Sequence, residues 1–186
     1  MTLRWWFAAV LALGVAGCAV PNREPARGSG DKVGQHPAAK IESPALQPGD
    51  IPDRAYQLRS LEKVKIEVGG HEFEAWLMDT DAKREEGFMY VKDSEVKPNE
   101  AMVFAFPDSK QRGFWMKNCP MALDIAFFGP DKRLLNVGYG KPFSEANVPS
   151  DGSSQYVVEA KAGTFKRLGI RAGAKLEAPA SVMALE

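Results

Sequence analysis

Val64-Lys65-Ile66-Glu67-Val68-Gly69-Gly70-His71-Glu72-Phe73-Glu74-Ala75-Trp76-Leu77-Met78 is the stretch that decides the fold. Val64, Ile66 and Val68 alternate with Lys65 and Glu67, the period of a half-buried strand. Gly69-Gly70 permits positive φ at both positions of a tight turn. Glu72 to Met78 then returns with Phe73, Ala75 and Leu77 on one face. The pattern predicts a β-hairpin.

Toward the C-terminus the strand signals continue. Thr80 is placed to cap a short helix over 81–86, whose acidic start suits the helix dipole. Gly87 is expected to end that helix in the left-handed conformation. Met102 to Phe106, closed by Pro107, and Arg112 to Asn118, closed by Pro120, read as strands. Leu123 to Phe128 and Leu134 to Tyr139 flank the turn Gly129-Pro130-Asp131-Lys132. Lys141 to Ser154 reads as a long loop, a type of segment that often carries function. Gln155 to Lys161 is a strand, Gly163 to Leu168 a short helix, and Lys175 to Ala178 a last strand. About eight strands and two short helices predict an α+β fold, mainly antiparallel β, with a curved or barrel-like sheet. A doubly wound α/β fold needs long crossover helices, and the pattern has none.

Toward the N-terminus the chain changes character. Arg4 precedes an apolar stretch from Trp5 to Val15, far short of the ~20 residues that span a bilayer as a helix. This is the layout of a secretory signal peptide. Val15-Ala16-Gly17-Cys18 resembles the bacterial lipobox, which implies cleavage before Cys18 and acylation of that cysteine, palmitate included. Several acyl chains on one residue anchor stably, whereas a single chain binds only marginally. Ordinary cleavage and secretion is the alternative. Ala19 stands where an aspartate commonly retains lipoproteins at the inner membrane, which favours the outer one. Six of the 13 prolines lie between Pro21 and Pro52, without apolar periodicity. Such a segment buries too little to offset its ordering entropy, so a disordered tether is expected. As a flexible coil its ~40 residues reach about 35 Å. The expected organisation is a signal peptide over 1–17, a lipidated terminus and tether over 18–60, a β-rich domain over 61–179 and a tail over 180–186.

Lys plus Arg and Asp plus Glu both number 24, so the formal charge is zero. Nucleic acid needs a basic footprint that this balance does not supply. A hydrophobic content of 45% suffices for a core. Cys18 and Cys119 are the two cysteines; acylation of Cys18 leaves Cys119 without a disulfide partner. His36 in the tether and His71 at the hairpin turn are poorly placed to activate a thiol, so Cys119 is not expected to be a nucleophile. Zinc-ligand spacing, an EF-hand loop, a P-loop and a dinucleotide fingerprint are all missing from the sequence, so neither metal nor cofactor is expected.

The densest mixture of chemistry is Phe114-Trp115-Met116-Lys117-Asn118-Cys119-Pro120-Met121-Ala122-Leu123-Asp124. If 112–118 is extended, Gly113, Trp115 and Lys117 share one face, and Gly113 leaves it open. An aromatic plate beside an ammonium can hold a sugar ring, a carboxylate or a phosphate. The alternative is a lysine snorkelling over a core tryptophan. Asn118 is a turn residue or a ligand contact. Asp124 and Glu159 sit among apolar neighbours, where a carboxylate is costly unless paired. Asp124 is expected either to pair with Lys117 or Arg84, or to line a site. Arg84 is a helix-surface or an anchoring residue.

Arg84-Glu85-Glu86-Gly87-Phe88-Met89, Ala101-Met102-Val103-Phe104-Ala105-Phe106, the Phe114 to Asn118 run with Leu123-Asp124-Ile125-Ala126-Phe127, and Tyr156 to Gly163 occur in one order. Together they resemble the bacterial and archaeal family called domain of unknown function 192, over about Lys63 to Glu177. Cys119 stands where that family commonly has threonine, and Ala101 where it often has glycine. The resemblance implies a compact, mainly β domain, often exported or membrane-associated, and no settled activity.

The expected function is that of a lipid-anchored cell-envelope domain, facing the periplasm or the exterior. It would bind a small polar ligand or envelope component, without chemistry, through Trp115, Lys117, Asn118, Asp124, Arg84 and Glu159. The alternatives are a structural or protein-interaction lipoprotein, and an envelope hydrolase built on Asp124 and Glu159.

Overall fold

The computed structural model describes residues 46–185. The expected signal peptide, the lipidation site Cys18 and most of the tether lie outside the described residues. No helix among the described residues is long and apolar enough to cross a membrane.

The hairpin forms as its sequence dictates. Strands β1 (Lys63–Val68) and β2 (His71–Met78) pair antiparallel, with Gly69 at φ 56° and Gly70 at φ 84°. Helix α1 (Asp81–Glu86) starts at Thr80, whose hydroxyl accepts from the Lys83 N–H at 3.4 Å. Gly87 ends it at φ 45°, ψ −129°, a positive φ outside the left-handed helical region that was expected. The remaining strands are β3 (Glu100–Phe114), β4 (Leu123–Phe128), β5 (Leu134–Gly140), β6 (Val148–Lys161) and β7 (Leu176–Glu177), with helix α2 (Thr164–Arg167) between the last two. They form one sheet in the order β5-β4-β6-β3-β2-β1-β7. Every pairing is antiparallel except β2 with β3, whose crossover contains α1.

Seven strands therefore replace the expected eight. Segments 102–106 and 112–118 are parts of one strand, β3, which runs through Pro107 and stops at Phe114. Proline is tolerated because the β3–β6 ladder lapses between Ala105 and Lys110, where no N–H is demanded of it. The expected loop 141–154 shrinks for the same reason: β6 starts at Val148 to pair with the far half of β3.

Each face of the sheet buries its own apolar cluster. Ala75, Ala101, Ala105, Ala126 and Ala160 lie on one face, with Phe165 and Ile170 packed against them. Trp76, Met102, Phe104, Leu123, Ile125 and Phe127 lie on the other. The sheet curls into a half-barrel. The edges meet at one end, where Leu134 N–H donates to the Ala174 carbonyl and Gly173 N–H to that of Leu134, both at 2.8 Å. Joining the outer strands there covers open edge groups.

The folded unit reaches beyond 61–179 at both ends. Arg54 is buried and donates to the carbonyls of Gly87 at 2.8 Å and Met89 at 2.6 Å, while facing Glu86 at 3.3 Å. Val182 is buried in the core, and Leu185 N–H donates to the Asp79 carbonyl. Neither anchor has an apolar period to announce it: Arg54 is a single side chain meeting distant backbone, and Val182 is a single apolar residue beside one backbone hydrogen bond.

Asp124 faces the α2 side of the sheet and holds that helix in place. Its carboxylate accepts from Gly163 N–H at 2.9 Å and Phe165 N–H at 3.0 Å. Gly163, at the N-cap position, has no side chain to do this. Asp124→Ala is expected to lower stability by about 2 kcal/mol in denaturant melts. A change within about 0.5 kcal/mol would contradict this structural role.

Candidate functional site

The six expected site residues divide into five and one. Arg84, Trp115, Lys117 and Glu159 line one narrow pocket of about 40 Å³. Lys117, Trp115 and Asn118 also line the wider groove at its mouth, about 460 Å³, together with Tyr56 and Tyr90. Asp124 lines neither. It opposes Ala160 across the β4–β6 ladder, whereas Glu159 opposes Ile125. Directly opposed residues share a face and successive residues alternate, so Asp124 and Glu159 point to opposite sides of the sheet. The paired carboxylates required by the hydrolase alternative are not formed. The expected pairing of Asp124 with Lys117 or Arg84 is not made either, because backbone N–H groups of α2 take both its oxygens.

Glu159 is the floor of the pocket. It is 4% exposed, and no hydrogen bond or ion pair to its carboxyl occurs among the described residues. Phe104, Phe114 and Leu123 form apolar walls around it. Gly87 comes close from above: a Cβ there would lie 3.7 Å from Glu159 Oε2 and 3.5 Å from the Phe104 ring. Burial alone pushes the Glu159 carboxyl up from 4.5 to about 8. At neutral pH it is a neutral acid that can donate as well as accept.

Arg84 is buried at the pocket wall. Its guanidinium donates to the Ala105 carbonyl at 2.7 Å and to Asp81 at 2.6 Å, and lies 5.0 Å from the centre of the Phe106 ring. It is an anchoring residue that ties α1 to β3 and fixes the turn at Gly87.

The mouth is built by the segment after β3. Trp115 is 44% exposed, so it is no core tryptophan. Lys117 places its ammonium 5.1 Å from the Trp115 ring centre. The pair meets because Cys119 N–H closes a turn on the Met116 carbonyl, not because a strand continues. Gly113 does not leave a face open as expected: the Asn147 side chain fills the space where its Cβ would be. Loop 141–147 braces the motif instead, through Met116 N–H to the Ser144 carbonyl at 2.7 Å and Phe143 N–H to the Cys119 carbonyl at 3.0 Å.

Asn118 and Tyr90 hold each other at the rim. Tyr90 N–H donates to the Asn118 carbonyl at 2.7 Å, and Asn118 Nδ2 to the Tyr90 hydroxyl at 2.9 Å. Both have left-handed backbones, φ 56° for Asn118 and φ 66° for Tyr90. Such a conformation is costly for an aromatic residue, and strain of this kind gathers at binding sites. Sequence reasoning missed Tyr90 and Tyr56. Tyr90 directly follows the Arg84 to Met89 motif, which was a usable signal; Tyr56 lies in the proline-rich segment and had none.

Cys119 lies beside the pocket as a free, buried thiol. Burial, and then the neighbouring Glu159, push it from 9.0 up to about 12. It is a neutral thiol, unsuited to attack as a thiolate.

The Glu159 carboxyl keeps its proton to higher pH in the folded chain than in the unfolded one. The stability this contributes is complete below about pH 4.5 and is lost as pH rises through about 8. Thermal melts from about pH 5 to 8.5 are expected to show wild type losing roughly 2–4 kcal/mol relative to Glu159→Gln. Parallel curves for the two proteins would contradict a buried neutral acid.

Comparison with other proteins gives a family without an activity. No curated protein matches the chain. A protein of unknown function from Novosphingobium aromaticivorans DSM 12444 has 32% identity over 77% of this chain and 99% of its own, with a TM-score of 0.59. A Sinorhizobium meliloti 1021 protein, described as a candidate transcription regulator, has 32% identity over 63% of this chain and 95% of its own, also with a TM-score of 0.59. The family DUF192, described as an uncharacterized ACR, matches residues 64–178, which include β1 to β7 and every residue of the narrow pocket. By that match over most of its length, the chain belongs to the domain of unknown function 192 family.

Proposed function

We propose that this chain is a lipid-anchored binding domain of the cell envelope that captures a small polar ligand or envelope component without transforming it. The anchor reading rests on the lipobox-like Val15 to Cys18. The binding reading rests on one observation: Glu159, buried and without a polar partner, closes a pocket whose mouth carries the exposed Trp115 and Lys117. A buried polar group is normally satisfied by protein or water, and Glu159, whose carboxyl opens onto the pocket, must find its partner there. A ligand group entering the pocket supplies one. Trp115 offers a face for stacking, Lys117 and Asn118 offer donors, and Arg84 holds the wall. The transcription-regulator description of the Sinorhizobium relative is not extended to this chain, whose 24 basic and 24 acidic residues give no net basic footprint.

Two measurements test this. Mass spectrometry of the protein from bacterial membranes is expected to find an N-terminal peptide beginning at an acylated Cys18; an unmodified terminus removes the anchor. Ligand-detected NMR with the full chain in detergent screens peptidoglycan fragments, monosaccharides, amino acids and phosphate esters. At least one compound is expected to bind, with affinity lost at least about tenfold in Trp115→Ala and Lys117→Ala. Melting temperatures of both variants should stay near wild type, since both side chains are exposed. Lowered stability with unchanged binding would instead assign the motif to the fold alone.

A further inference from the structure

The narrow pocket and its mouth differ in chemistry in a way that selects one class of ligand. The pocket has an apolar side of Phe104, Phe114 and Leu123, a polar side from α1 and Glu159 at its end, and its volume of about 40 Å³ holds a group of only a few heavy atoms. The mouth presents the indole of Trp115, the ammonium of Lys117 and the amide of Asn118. A ligand that uses both must have a small group with an apolar flank and a hydrogen-bonding tip, projecting from a flat, hydroxylated body. Asp53, Glu85 and Glu86 line the groove beside Lys117, and the two glutamates reach the pocket as well. A lone hydroxyl leaves most of the pocket unfilled. An acetamido group meets each demand, with its methyl against Phe104 and Phe114 and its carbonyl accepting from the Glu159 acid. The sugar ring bearing it then lies against Trp115.

We propose that the pocket recognises the acetamido group of an N-acetylated amino sugar, with Glu159 as the donor to its carbonyl and Trp115 as the ring platform. This rests on the binding reading above and names its ligand class. The titratable groups that line the pocket around Glu159 are Arg84, Glu85 and Glu86 from α1, with Lys117 and Cys119 from the segment after β3; the wall residues from β3 and β4 are apolar. Glu159 is the member of this set whose charge changes near pH 8, and its ionised form cannot donate.

The experiment uses free N-acetylglucosamine, glucosamine and glucose with the full chain in detergent, read by saturation-transfer NMR at about pH 6.5 and 9. N-acetylglucosamine is expected to bind with its acetyl methyl most strongly saturated, and the other two sugars at least about tenfold more weakly. Its binding should weaken about tenfold at the higher pH. Glu159→Gln keeps a donor at that position and should bind at both pH values alike, while Trp115→Ala should lose binding. Equal binding of glucose or glucosamine, an unsaturated methyl, or a wild-type pH loss that persists in Glu159→Gln would overturn the assignment. Failure of all three sugars also overturns it. If another compound then binds through Trp115, the pocket reading stands without the amino sugar; if none does, both fall.

Discussion

Alternation of side chains across the central strands is the constraint on which the rest depends. Along β6, Val158 and Ala160 point to the face covered by α2 while Val157 and Glu159 point to the other. Val157 and Glu159 lie on the face that carries Trp76, Met102, Phe104 and Phe127. Glu159 is therefore fixed beneath a thick apolar layer. A slip of one residue would carry it into the opposite cluster, among Val103, Phe128 and Phe165, and away from the pocket. The register that makes the half-barrel also makes the buried acid.

The same alternation separates structure from site. Asp124 and Glu159 are both buried carboxyls on neighbouring strands, yet their surroundings give them different work. Asp124 accepts two backbone N–H bonds and replaces the cap that Gly163 cannot supply. Glu159 makes no hydrogen bond among the described residues and faces the open space of the pocket. One carboxyl is fully used by the fold; the other is left available. Around the available one, supporting contacts gather from distant parts of the chain. Arg54 grips the carbonyls at Gly87 and Met89, Arg84 grips the Ala105 carbonyl, and loop 141–147 holds the Trp115 segment.

What the sequence discloses follows from the range of each interaction. The hairpin, α1 and β4 are legible because their signals are local: period-two alternation, a glycine pair, a threonine cap. Pro107 misleads because a strand may carry proline where its partner ladder is interrupted, and the interruption is defined only by pairing with β6, some fifty residues away. Four of the site residues on the narrow pocket were legible as unusual chemistry in apolar settings. Their convergence was not, since it depends on the β3–β6–β4 register. Asp124 looked the same as Glu159 from sequence, and only the identity of the opposing residue, Ala160 or Ile125, tells them apart. Arg54 and Tyr56 were hidden by a composition typical of linkers.

The central claim is that a partnerless acid at the pocket floor stays protonated at neutral pH. The most direct measurement is a carbon-13 NMR titration of the glutamate side-chain carboxyls in the full chain, with Glu159 assigned by its absence in Glu159→Gln. A midpoint near pH 8 is the expected result. A midpoint near the ordinary value of 4.5 would mean that Glu159 is solvated or paired, and the account of the pocket would be wrong.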